Sequence, residues 1–79
     1  MLTQKCVGLV VSLEQLIGKR IVQLREERKW TQEKLAAEAD LNPRHLQQIE
    51  YGEIWPRAAT LKKLAKAFKM EPEDILRGI

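Results

Sequence analysis

Arg44, Gln48 and Tyr51 lie four and three residues apart in the stretch NPRHLQQIEYG, with Leu46 and Ile49 spaced between them. Wound at about 100° per residue, this stretch sends the three polar side chains to one side and the two aliphatic ones to the other, with His45 and Gln47 on the flanks. An arginine can donate two hydrogen bonds to O6 and N7 of guanine, and a glutamine can pair in the same way with N6 and N7 of adenine, both in the DNA major groove. Such a helix is anchored by one face and free to read base edges with the other. Exposed helix faces are polar in most proteins, so the residue types alone imply no more than solubility. The capping and turn signals around them carry the rest.

Asn42 followed by Pro43 is a strong helix start, because asparagine caps free amides and proline at the first helical position gives up no needed donor. Gly52 supplies the stop, which predicts a helix from about Pro43 to Tyr51. Thr31 caps a preceding helix that runs through Ala39, with Leu35, Ala36 and Ala39 inward. Asp40 falls at the turn between the two, where a left-handed conformation is expected. The pair is a helix-turn-helix over about 31–51.

Three further helices complete the reading. Ser12 and Gln15 form a capping box for a first helix to about Lys29, with Leu13, Leu16, Ile17, Ile21 and Leu24 on its apolar side and Trp30 as a core anchor. A fourth, from about Ala58 to Lys69, buries Leu61, Leu64, Ala65 and Phe68, and Lys66 and Lys69 near its end suit the helix dipole. A fifth begins at Pro72, carries Glu73 and Asp74 in its first turn, and has Ile75, Leu76 and Ile79 as its apolar side. Residues 1–11 form an N-terminal arm whose segment from Lys5 to Val11 suits a strand, a helix extension or a disordered tail. The fold class is all-α: five helices in one domain over 12–79.

With 79 residues there is room for one small core and little for an elaborate active site. A net charge of +3 and a sequence pI of about 9.2 suit a nucleic-acid partner, though unrelated domains are equally basic. One cysteine, Cys6, permits no internal disulfide, and with one histidine, His45, there is no metal-ligand cluster, so no metal or other cofactor is expected. Nor is a nucleophile constellation visible, and the expectation is a non-enzyme. The apolar run from Cys6 to Val11 is too short to span a membrane, and the expected setting is cytoplasmic. No small-molecule ligand is evident.

IGKRIVQLREERKWTQEKLA, then IEYG, a proline, TLKKLAKAF and EDIL occur in the order and near the spacing of the lambda-repressor-like, Cro-type (XRE family) helix-turn-helix regulators, which the chain resembles from Leu16 to about Gly78. The resemblance implies that Arg44, His45 and Gln48 contact bases. It implies that Gln32, at the start of the second helix, bonds a phosphate and orients the reading helix, with Thr31 and the helix N-terminus beside it. Gln47 and Tyr51 are then phosphate or rim contacts, and Pro43 replaces a position that sometimes reads bases. Arg25 and Glu50 match a salt bridge between the first and third helices, a clamp on orientation rather than a DNA contact.

Arg57 departs from the pattern, since a serine that caps the fourth helix often stands there. It weakens the helix start and places a cation near the expected DNA backbone. Trp55 is expected as a plug over the core, with a dimer contact as the alternative, and Lys62 and Lys63 as solvated lysines, with approach to phosphate as the alternative. The implied dimer contact draws on Met70, Ile75, Leu76 and Ile79. Together these readings describe a regulator that binds double-stranded DNA, a homodimeric repressor or restriction-modification-type controller on an inverted repeat. Alternatives are a DNA-binding antitoxin, or an interaction module on the same scaffold that has lost DNA binding.

Overall fold

The computed structural model describes residues 12–77, and five helices account for most of them: α1 (Leu13–Glu27), α2 (Gln32–Ala39), α3 (Pro43–Glu50), α4 (Ala58–Phe68) and α5 (Pro72–Leu76). The N-terminal arm and Ile79 lie outside the described residues. Each of the first three helices opens on a side-chain cap. Ser12 and Gln15 exchange side chain-to-backbone bonds of 3.1 Å, Thr31 Oγ1 accepts from Lys34 N–H at 3.0 Å, and Asn42 Oδ1 accepts from Arg44 N–H at 2.8 Å. Arg57, at the start of α4, makes no such bond.

The helix ends share a device that the residue types disguise. Asp40 has φ 56° as expected, but Lys29 and Lys69 also take left-handed conformations, each at φ 59°. The next residue then folds back: Trp30, Leu41 and Met70 donate their N–H groups to Arg25 O, Ala36 O and Ala65 O at 3.2, 2.8 and 2.9 Å. These bonds satisfy orphan carbonyls, and the three apolar side chains pack against the core. Lys29 therefore lies beyond α1, which is two residues shorter than its sequence pattern.

Thirteen buried residues form one core: Ile17, Ile21 and Leu24 of α1, Leu35, Ala36 and Ala39 of α2, Leu46 and Ile49 of α3, Leu61, Leu64, Ala65 and Phe68 of α4, and Ile75 of α5. Three expectations need correcting. Leu13 shares the face of Ile17, one turn along α1, but is 61% exposed. Trp55 is 41% exposed and is no plug; its neighbours Ile54 and Pro56 turn inward instead. Ile75 has no accessible surface, so as a core residue it is removed from the candidate dimer contacts.

Gly18 was not singled out by its sequence context. A Cβ built there would come within 2.5 Å of Ile49 O and 2.7 Å of Glu50 O, so only glycine lets α1 and the end of α3 approach this closely. Two arginines fasten other helix ends. Arg28 donates to Leu24 O and Phe68 O at 2.9 Å while lying 4.8 Å over the Phe68 ring, and Trp30 stacks on the same ring. Arg20 donates to Asp74 O and Ile75 O at 3.2 Å, holding α5 against α1.

Candidate nucleic-acid interface

Asn42 and Pro43 start α3, Leu46 and Ile49 bury completely beneath it, and Gly52, at φ 79°, lets the chain leave it. This fixes which residues face outward. Arg44, Gln47 and Tyr51 are exposed, Tyr51 at 65%, while His45 and Gln48 are half-buried. Arg44, Gln48 and Tyr51 thus share the side opposite the core, with Gln48 more enclosed than the other two. Gln32, the first residue of α2, stands beside the flank of α3 that bears Gln47.

A chain of polar contacts joins these parts. Arg25 donates through Nε to Glu50 Oε2 at 2.9 Å and through a second nitrogen to Glu50 Oε1 at 3.3 Å. Its third nitrogen donates to Trp30 O at 2.8 Å, so one guanidinium ties α1, the turn before α2, and α3. Glu50 keeps only 1% of its side chain exposed. Its Oε1 also accepts from Gln32 Nε2 at 2.7 Å, and Gln32 Oε1 accepts from Gln47 Nε2 at 3.4 Å. The Gln32 link to Glu50 was not foreseen, since residues 18 apart show no sequence spacing that implies contact.

Thr31 Oγ1 is occupied as an acceptor by the α2 cap, which leaves its hydroxyl hydrogen for an outside acceptor. Arg57 is exposed at the uncapped start of α4, where several amide hydrogens point outward. Lys63 donates to Asp40 O at 3.3 Å, at the turn between α2 and α3, and Lys62 is exposed. Among the candidate dimer residues Leu76 is 37% exposed and Met70 is half-buried. No group of three or more His, Cys, Asp or Glu residues among those described could hold a metal ion, and no described helix is long and apolar enough to cross a membrane.

Five helices, with α2 and α3 joined by a left-handed turn and α3 presenting a polar face, define a lambda-repressor-like helix-turn-helix domain. The helix-turn-helix family model matches residues 21–75, and the chain belongs to that family. A transcriptional repressor of Bacillus subtilis (strain 168), RghR, is 38% identical over 60 residues, covering 75% of this chain and 44% of that protein. The control protein C.BamHI of Bacillus amyloliquefaciens is 34% identical over 62 residues, covering 77% of this chain and 76% of that one. The crystal structure of the restriction-modification controller C.AhdI from Aeromonas hydrophila superposes with a TM-score of 0.75 at 27% identity, covering 78% of this chain and 94% of that one.

Proposed function

We propose that this chain is a sequence-specific, double-stranded DNA-binding transcriptional regulator of the repressor or controller type. The observation that carries the reading is the seating of α3: complete burial of Leu46 and Ile49 commits Arg44, Gln48 and Tyr51 to the outward side, with Gln32 at the start of α2 beside the Gln47 flank. Family membership and the resemblance to a repressor and two controllers support it. Arg44, His45 and Gln48 would contact base edges. Gln32, Thr31, Tyr51 and Arg57 would hold the phosphates that set register and orientation.

One domain of this size reads few base pairs, and each wrong pair costs only about 1–3 kcal/mol. Two copies related by a twofold axis would place their reading helices in successive major grooves about 34 Å apart. Leu76, with the half-buried Met70, would supply apolar surface for that pairing. The mechanism is occupancy of promoter DNA, without catalysis or cofactor.

Selection of bound sequences from a random duplex pool, followed by gel shift across a salt series, tests the reading. An inverted repeat should emerge, and affinity should fall as salt rises, because the entropy gained by releasing counterions from the phosphates shrinks. Equal retention of all sequences would overturn the sequence-specific reading, and retention of no duplex would favour an interaction module on the same scaffold.

A further inference from the structure

The contacts that run outward from Glu50 form a sequence of donors and acceptors with a fixed sense. A carboxylate held by two Arg25 nitrogens offers only acceptors, so the Gln32 carboxamide must turn its Nε2 toward Glu50. Its Oε1 then faces α3, where it accepts from Gln47 Nε2 at 3.4 Å. With one hydrogen of its nitrogen drawn toward Gln32, Gln47 is left its carbonyl oxygen and its second amide hydrogen for an outside partner. A glutamine on an open helix face rotates freely and presents either a donor or an acceptor; here a buried carboxylate two contacts away selects one.

Resting on the proposed DNA reading, we propose that Gln47 is a specificity-determining residue rather than a phosphate contact, oriented by Glu50 through Gln32. A phosphate oxygen takes donors, and the group of Gln47 whose orientation is fixed outward is its acceptor oxygen, with the second hydrogen of Nε2 left beside it. In the major groove the matching partners are the exocyclic amino groups of adenine and cytosine, whereas guanine O6 and thymine O4 are acceptors and do not match. Glu50 is a positioning residue in this arrangement, and Gln32 serves both as its intermediary and as a phosphate donor through its remaining amide hydrogen.

The test uses the full chain as wild type, Gln47→Ala and Gln32→Met, each taken through selection from a random duplex pool, with thermal melting by circular dichroism to show that both variants fold. Wild type should prefer adenine or cytosine at one position of the half-site. Gln47→Ala should lose that preference by about tenfold while leaving the others in place. Gln32→Met keeps Gln47 but removes its acceptor, and should lose the same preference together with a uniform drop in affinity. A uniform loss for Gln47→Ala, a preferred guanine or thymine at the position it affects, or an unchanged preference in Gln32→Met would each overturn the inference while leaving the DNA reading intact. A wild-type chain without any sequence preference would overturn both.

Discussion

The two faces of α3 and its C-terminal cap Tyr51 belong to one short helix and are held to different standards. Inward, Leu46 and Ile49 are fully buried and the Glu50 carboxylate is enclosed by Arg25 and Gln32, so shape and pairing there are fixed by neighbours from α1 and α2. Outward, Arg44 and Tyr51 are exposed, and no described residue dictates their chemistry. The inner face determines where the helix lies, and the outer face what it meets. Substitutions of Leu46 or Ile49 should be nearly silent in the DNA preference and those of Arg44 or Tyr51 nearly silent in stability, whereas Glu50, which touches Gln32, should register in both.

The largest effect should come from Glu50→Ala. It strands the Arg25 guanidinium and the Gln32 amide, and breaking a buried pair from one side costs about 3–5 kcal/mol. Urea denaturation should record that loss, and a change below about 0.5 kcal/mol would mean that the pair contributes little to the seating of α3. Leu46→Ala should cost about 3 kcal/mol through lost contacts and a residual cavity, with the preferred DNA sequence unaltered in the surviving folded fraction.

Arg44→Ala should reverse the pattern. Its urea midpoint should stay within about 0.5 kcal/mol of wild type, while discrimination at one base pair falls by about 1–3 kcal/mol in competition gel shifts. A uniform loss across all sequences would instead make Arg44 a phosphate contact. The smallest effect belongs to Arg57→Ser. A serine cap should stabilise α4 by about 1 kcal/mol, and removal of the cation should weaken binding to every duplex alike. Stabilisation without weaker binding would take Arg57 out of the interface.

What could be read without coordinates follows from the same division. Asn42, Pro43 and Gly52 bound α3 by local chemistry, and the spacing of Leu46 and Ile49 settles its inward side, so the outward residues follow by subtraction. The left-handed turns at Lys29 and Lys69 could not be seen this way, because lysine gains nothing there; the conformation is supported by the backbone bonds and core contacts of Trp30 and Met70. Gly18 was equally opaque. A glycine within a helix is unfavourable by about 1 kcal/mol relative to alanine, and its reason, the carbonyls of Ile49 and Glu50, lies some thirty residues away. Leu13 and Ile75 fit their helical patterns equally well, yet one is exposed and the other buried; periodicity gives a direction but not what stands in that direction.

Arg20, Arg25 and Arg28 bear on how the chain should behave in an ionic-strength titration. Their guanidinium groups are directed at carbonyl oxygens of helix ends or at a buried carboxylate, and Lys63 at the carbonyl of Asp40. The slope of log affinity against log salt counts phosphates neutralised, not basic residues encoded. It should therefore be set by those outward cations that meet the duplex, Arg44 and Arg57 among them, and be shallower than the fourteen lysines and arginines of the sequence suggest. Three of this domain's arginines are internal mortar, and attraction to DNA falls to the cations outside them.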